Sequence, residues 1–398
     1  MSGQPVGGAS PEVRRARAWL SRAVEPGSVA LWRFVEQAGP VAAAAALRAG
    51  AAPPAVQALA GARVEEDAST RDLDRAARCG ARLVVPEDGE WPAQALHCLT
   101  VASAGETSDA AVNRTLSLVP PLALWVRGER SLAEVVDRSV ALVGARASTA
   151  YGEHVAAELA HGLGERGWTT VSGGAYGIDA AAHRGALAAG APTVAVLACG
   201  VDRAYPAAHS ALLARVQDSG LLVSEWPPGC APLRHRFLVR NRLIAALTRG
   251  TVVVEAAARS GAQATAKRAR DLGKQVMAVP GPVTSAMSVG CHQLLRDTER
   301  AAALVTSAAD VVSAVGRIGE GLELPAEPPA RARDSLSDVA RRVLDACPVR
   351  AGAPPERLAA VAGCTVVDVL RVLPALELAE LVEWTGTGWR VTSTASAS

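Results

Sequence analysis

The chain has 398 residues, of which 49% are apolar, and a formal net charge of +2. That supplies core for two or three domains and excludes a polycation that holds its partners by bulk charge. No apolar run is long and charge-free enough to span a bilayer, and the opening MSGQPVGGASPEVRRARAWL lacks the apolar stretch of a signal peptide. A cytoplasmic protein without membrane association is expected. The seven cysteines, at 79, 98, 199, 230, 291, 347 and 364, are odd in number and form no CxxC pair. This argues against a disulfide framework or a zinc site, so most are expected as small buried apolar residues, with no cofactor or metal. Only Lys267 and Lys274 among the 41 basic residues are lysine, in a chain also rich in Ala and Gly. The arginine fork binds phosphate and stacks on bases. Aromatics are 3% of the chain, so any that gather beside a glycine loop mark a place of interest.

Residues 1 to about 80 carry short helical stretches, Pro11–Ala23, Val29–Gln37 and Pro40–Arg48, broken by Gly and Pro. A small helical domain is expected there. A loop-rich connecting segment, 81–137, follows with LVVPEDGEWPAQAL and PPLALWVRGE. From 138 to 314 the rhythm changes. Apolar runs of four to eight residues (VALVG, TTVSG, TVAVLACG, LLVSE, TVVVEA, QVMAVPG, ALVT) alternate with helical stretches, Tyr151–Arg166, Ile178–Ala189, Ala207–Ser219, Leu238–Leu247 and Ala262–Leu272. Strands this apolar are buried on both faces, and the alternation makes βαβ units in a parallel sheet. Residues 315–334, rich in Gly, Pro and charge, read as a linker. From 335 to 393, helices over Leu336–Cys347, Pro355–Val361 and Val366–Ala379 precede a hairpin turning at Gly386-Thr387-Gly388. The predicted fold is α/β, with a Rossmann-like parallel sheet core, a small helical N-terminal domain and a C-terminal winged-helix domain.

Four sets of residues sit at predicted strand ends. Gly144-Ala145-Arg146-Ala147-Ser148-Thr149 is a strand, glycine turn and helix start, where free amides and the helix dipole favour an anion and Arg146 adds charge. It lacks the second glycine of GxGxxG, which lets a pyrophosphate approach. A plain turn with Arg146 in a surface ion pair fits the same letters. Ser172-Gly173-Gly174-Ala175-Tyr176-Gly177-Ile178-Asp179 wraps amides around phosphate, or is a tight turn needing positive φ. Asp179 can cap the following helix, whose His183 is either an acid–base group or a packing residue. Between Glu225 and Glu255 lie 29 residues without an acid, carrying Arg234, His235, Arg236, Phe237, Arg240, Arg242 and Arg249. An aromatic among arginines suits single-stranded nucleic acid. A solvated face, or arginines paired with Glu225 and Glu255, are the alternatives. The fourth set runs from Glu255 through Arg259, Ser260 and Gly261. Glu255 is a candidate catalytic carboxylate, or an anchor for an arginine.

In this order, VALVGARASTAYG, VSGGAYGIDAAAH, TVAVLACGVDRAYP, LLVSEWPPG, FLVRNRLIAAL, VVVEAAARSGAQAT and VMAVPGPV resemble the DNA-processing protein A (DprA/Smf) family over about 175 residues. EWPAQAL and PPLALWVRGE look like that family's approach to its Rossmann domain. The resemblance also fits a helical N-terminal domain, of sterile-alpha-motif or helix-hairpin-helix type, and a winged helix. It implies a non-enzymatic protein that binds single-stranded DNA cooperatively, pairs as a homodimer through the Rossmann domain and loads the RecA recombinase in natural transformation. By motif, Gly144, Ala145 and Arg146 match the family's Gly-Ser-Arg turn. Ser172, Gly173 and Gly174 match its second phosphate loop, and Arg240, Asn241 and Arg242 its Arg-Asn-Arg element. Tyr205, Arg236, Phe237, Ser260 and Gly261 complete the expected DNA-contact set. Ala145 replaces the usual serine, Gly174-Ala175-Tyr176 varies an apolar-Ala-Arg stretch, and Leu238 stands where proline is common. Ala207-Ala208 lacks the usual basic residue, for which Arg203 can substitute.

Two other readings fit a Rossmann-like domain. One is a nucleoside monophosphate phosphoribohydrolase, whose Pro-Gly-Gly-x-Gly-Thr-x-x-Glu loop is not matched by SGGAYGID. The other is a nucleotide sensor signalling through the winged helix. The expected recognition helix has one basic residue, Arg371, against Asp368, Glu377 and nearby Glu380, and Pro374 interrupts it. Such a helix reads the major groove poorly, which favours protein contact or weak DNA binding.

Overall fold

The structure, a computed structural model, describes residues 8–104, 118–317 and 336–392. It divides into two compact units, Met1–Leu322 and Glu323–Ser398. Among the described residues no single helix is long and apolar enough to cross a membrane.

The first unit opens on helices α1 (Pro11–Ala23), α2 (Val29–Ala38), α3 (Pro40–Arg48), α4 (Pro54–Ala60) and α5 (Ser69–Arg78). Ser10 and Ser28 cap α1 and α2 with their hydroxyls, and Trp19, Leu20, Leu31, Val35 and Leu47 close a small core between the first helices. Then come β1 (Ala81–Val84), α6 (Ala93–Ala104), β2 (Leu124–Arg127) and α7 (Leu132–Asp137). The alternating region follows as β3 (Ser139–Val143), α8 (Ala150–Glu165), β4 (Thr169–Ser172), α9 (Ile178–Ala188), β5 (Thr193–Val196), α10 (Ser210–Ser219) and β6 (Leu221–Ser224). It continues through α11 (Arg234–Ala246), β7 (Gly250–Val253), α12 (Gly261–Asp271), β8 (Gln275–Ala278), α13 (Val289–Leu295), β9 (Ala303–Leu304) and α14 (Ala308–Val315).

The strands form one nine-stranded sheet in the order β1-β2-β6-β5-β4-β3-β7-β8-β9. From β3 to β9 every pairing is parallel, and strands β3 to β7 are buried along their whole length. Apolar side chains line both faces. Val140, Leu142 and Val252 meet α8, α9 and α14 on one side, while Ala141, Val143 and Val253 meet α11, α12 and α13 on the other. This is the Rossmann-like parallel core expected from the run pattern.

Two differences are informative. The connecting segment is not only loop: β1 and β2 pair with each other and β2 pairs with β6, all antiparallel, so the sheet starts at Ala81. A four-residue run whose partner lies some forty residues downstream carries little local signal. The second difference is α11, which starts at Arg234 rather than Leu238. Much of the arginine run is therefore helical, and helix geometry sends its side chains in different directions.

From β3 the chain builds outward through β4, β5 and β6, then returns to lay β7 against the other side of β3. The β3/β7 pair is thus the topological switch point, where open α/β sheets hold ligands beyond the strand carboxyl ends.

The second unit has α15 (Asp338–Ala346), α16 (Pro355–Ala362) and α17 (Val366–Leu378), then a hairpin of β10 (Val382–Trp384) and β11 (Trp389–Val391). Val343, Leu358, Val369, Leu373 and Leu376 form its core. Thr365 and Asp368 make a reciprocal capping box at the start of α17. The element order is three helices and a hairpin, as expected. From Ile318 to Ser335, the expected linker lies outside the described residues.

Candidate nucleic-acid interface

The first loop at the switch point is 144–149. The Ala145 amide donates to the Glu255 carbonyl at 2.7 Å, and the Ala145 carbonyl accepts from the Ile178 amide at 3.2 Å. Ala145 therefore fastens β3 to the ends of β7 and α9, and its amide is already engaged. Glu255 is buried and accepts from the Thr149 amide (2.9 Å) and hydroxyl (2.6 Å). The carboxylate sequence reading offered as a catalyst or arginine anchor instead clips the two loops together. Gly144 is required by close packing: a Cβ there would lie 2.5 Å from the Ile178 side chain. Arg146 escapes this network. It is exposed, and its guanidinium carbon stands 5.2 Å from the Phe237 ring centroid.

The second loop, 173–177, is built from below. The Asp179 carboxylate accepts from the amides of Gly173 (3.1 Å) and Ala175 (3.3 Å). Burial pushes that carboxyl above its ordinary range, against the pull of Arg240 and the loop amides. Arg240 comes from α11 beneath the loop and donates to the carbonyls of Gly173 (2.9 Å) and Val196. Burial draws its guanidinium down to about 10 although Asp179 favours the charge. A Cβ on Gly173 would lie 2.2 Å from that guanidinium, so glycine is needed there. The Ser172 hydroxyl is buried and donates to the Leu142 carbonyl.

Helix α11 distributes the acid-free run. Phe237 packs against Tyr205, with ring centroids 5.6 Å apart. Arg236 is buried against Glu25 of the helical region at 2.6 Å, and Trp226 donates to the same carboxylate at 3.0 Å. Burial alone would raise the Glu25 pKa, but these two donors hold it below the usual range. Arg242 is fully buried, bidentate to Glu225 at 2.5 and 2.7 Å, and also donates to the Val119 carbonyl. The Asn241 amide donates to the Gly261 carbonyl at 3.4 Å, and the Ser260 hydroxyl caps α12.

Of the fourteen residues expected to touch DNA, the structure thus brings Arg146, Tyr205 and Phe237 together with exposed polar or aromatic surface. Ser260 and Gly261 stand at the neighbouring β7–α12 turn. Ala145, Ser172, Gly173, Arg236, Arg240, Asn241 and Arg242 are committed to internal bonds that shape the loops, and Gly144 is fitted against Ile178. The pairing of Arg242 to Glu225 is the alternative that the acid-free run allowed. His183 is the packing residue of its two readings: it is buried and bonded to the Thr193 hydroxyl at 2.8 Å. Sequence reading passed over Tyr176 and His209, whose rings meet edge-on at 4.6 Å while His209 Nδ1 lies 3.1 Å from the Gly174 carbonyl. Tyr176 is one of three tyrosines in the chain and sits inside the glycine loop, a signal available beforehand. Arg203, Arg234 and Arg259, on adjoining loops and the start of α11, are exposed and have no carboxylate partner among the described residues. The edge therefore joins exposed cations to aromatic faces over tightly pinned loops.

Residues 83–316, more than half of the chain, match the family described as DNA recombination-mediator protein A. The chain is 48% identical over 377 residues to a putative DNA processing protein DprA of Mycobacterium tuberculosis, covering 95% of this chain and 94% of that one. It is 40% identical over 193 residues to the DNA processing protein DprA of Streptococcus pneumoniae, covering 48% of this chain and 66% of that one. The X-ray structure of the Streptococcus pneumoniae protein superimposes with a TM-score of 0.59 at 29% identity, covering 78% of this chain and 100% of that chain. With its motifs at the strand ends of the same Rossmann-like core, this chain belongs to the DNA-processing protein A (DprA/Smf) family.

Proposed function

We propose that the protein binds single-stranded DNA along the carboxyl ends of β3, β4, β5 and β7, and serves as a recombination mediator that loads the RecA recombinase in natural transformation. The observation that carries this reading is the grouping of Arg146, Phe237 and Tyr205 at the switch point. An exposed guanidinium over an aromatic ring offers one phosphate contact beside one stacking face, the recurring unit of sequence-tolerant single-strand binding. Gly144, Ala145, Ser172, Gly173, Arg240, Asn241 and Arg242 act through position, holding the loops that carry the contacts. Ser260 and Gly261 line the track, the buried Gly174 is held by His209 through its carbonyl, and Arg236 fixes α11. Arg203 takes the place of the basic residue missing at Ala207-Ala208.

The carboxylates of the two loops, Asp179 and Glu255, accept bonds from loop amides, which supports binding rather than hydrolysis of a nucleotide. The protein works in the cytoplasm as a homodimer through the α/β region, and the second unit is a winged helix used for protein contact.

The test is a fluorescence titration of labelled single-stranded and duplex oligonucleotides over a salt series. Arg146→Ala is expected to weaken single-strand binding roughly tenfold and to lower the salt slope by about 0.7, the share of one phosphate. An unchanged affinity and slope would remove Arg146 from the interface.

A further inference from the structure

The connection from β5 to α10 carries two aromatic contacts. Tyr205 meets Phe237 of α11 with ring centroids 5.6 Å apart, and further along the same connection His209 meets Tyr176 of the second glycine loop at 4.6 Å. The first pair belongs to the interface proposed above. The second has no part in it. The chain has only three tyrosines and two phenylalanines, and Tyr176, Tyr205 and Phe237 all gather at this edge.

Tyr176 is placed for a ligand rather than for the core. It is 47% exposed, and its hydroxyl makes no hydrogen bond among the described residues. The hydroxyl of Tyr151, by contrast, donates to the Pro280 carbonyl at 2.6 Å. His209, on which Tyr176 rests, is buried, and its Nδ1 lies 3.1 Å from the Gly174 carbonyl. The two rings are inclined at 66°, so His209 covers at most one face of Tyr176 and leaves a face for another partner. His209 is therefore a positioning residue, seated on the loop whose aromatic it holds. That loop is also pressed against the first. Gly177 has φ of +73°, and a Cβ there would meet the carbonyl oxygens of Ala145 and Arg146. Tyr176 thus stands one residue from the point where the two loops touch, beside the backbone of Arg146. An open aromatic face next to a phosphate contact is the unit that stacks a base without reading its identity.

We infer that Tyr176, seated on His209, is a second base-stacking platform of this edge. A single strand held at Arg146 stacks one base on the Tyr205–Phe237 pair and another on Tyr176. This rests on the single-strand reading of the edge and extends it onto the glycine loop.

Photo-crosslinking of the full chain to iodouracil-substituted single-stranded oligothymidylate, followed by peptide mass spectrometry, tests it on the unaltered protein. An adduct is expected on Tyr176, besides one on Tyr205 or Phe237. In fluorescence titration with the same oligomer, Tyr176→Ala is expected to weaken binding about tenfold with an unchanged salt slope, because stacking releases no counterion. Tyr176→Phe, which keeps the ring, should bind as the parent does, and a thermal melt checks that both variants fold. Arg146→Ala and Phe237→Ala are titrated alongside. If neither weakens binding, the DNA edge itself falls and the second platform with it. If they do weaken it, the second platform alone is overturned by the absence of a Tyr176 adduct or by an unchanged Tyr176→Ala affinity. A loss in Tyr176→Phe equal to that in Tyr176→Ala also overturns it, since the hydroxyl rather than the ring would then make the contact.

Discussion

The Arg240 guanidinium lies under the glycine loop and donates to the Gly173 carbonyl at 2.9 Å, in space that a Cβ on Gly173 would fill. A cation that sequence reading assigns to DNA thus forms the floor of the loop. Arg240→Met removes both carbonyl contacts and leaves the Gly173 and Val196 oxygens buried without that donor. The expected cost is about 2–3 kcal/mol in urea denaturation. Single-strand affinity should also fall, with the salt slope close to the parent value, because no phosphate contact is deleted. A slope reduced as in Arg146→Ala would instead make Arg240 a direct ligand.

The Arg242–Glu225 pair is buried on both sides, with side-chain exposures of 1% and 4%. Removing one member strands the other's charge. Arg242→Met is expected to cost about 3–5 kcal/mol, while the double variant Arg242→Met with Glu225→Leu recovers most of that loss. A double-mutant cycle in denaturant measures the coupling, and additive losses would contradict it.

Phe237 should contribute by stacking rather than by charge. Phe237→Ala is expected to lower single-strand affinity by about 1–3 kcal/mol and leave the salt slope unchanged. Phe237→Trp should keep most of the affinity. Parallel titrations at several salt concentrations separate this outcome from that of Arg146→Ala, and an unaltered Phe237→Ala affinity would exclude stacking.

His183 makes stability depend on pH. Burial first, then the nearby charges of His209 and Arg240, lower its pKa from 6.5 to about 3. The unfolded chain therefore takes up a proton that the folded chain refuses. Stability is full above pH 6.5 and falls as pH drops toward 3, by roughly 1.4 kcal/mol per pH unit from this residue. Thermal or urea unfolding between pH 7 and 4.5 should show that slope, and His183→Gln should flatten it. An equal slope in the variant would assign the effect to other groups.

The parallel core was legible because its strands are buried on both faces, so each reads as an unbroken apolar run between helical stretches. Strands β1 and β2 were less legible, since their pairing is long-range and their runs are short. The glycine loops were visible as letters, but the letters could not say whether their amides are free. Asp179 and Glu255 decide that by taking the amides of Gly173, Ala175 and Thr149. Nothing in local sequence reports a bond whose partner lies more than a hundred residues away, as Thr149 and Glu255 do.

The sequence by itself determined the α/β class, the strand and helix alternation of the parallel core, the three helices and hairpin of the second unit, and the family, because apolar periodicity and ordered motifs are local properties of the chain. Only the tertiary structure decided which arginines are structural and which are exposed. In sequence Arg236, Arg240 and Arg242 form one positive run with Phe237. Helix α11 turns them toward Glu25, Gly173 and Glu225, partners set by how distant segments pack. Arg146, on a turn whose backbone is already pinned, is left at the surface beside the Phe237 ring. Burial of a charge requires a partner, and the partner is a fact of the fold.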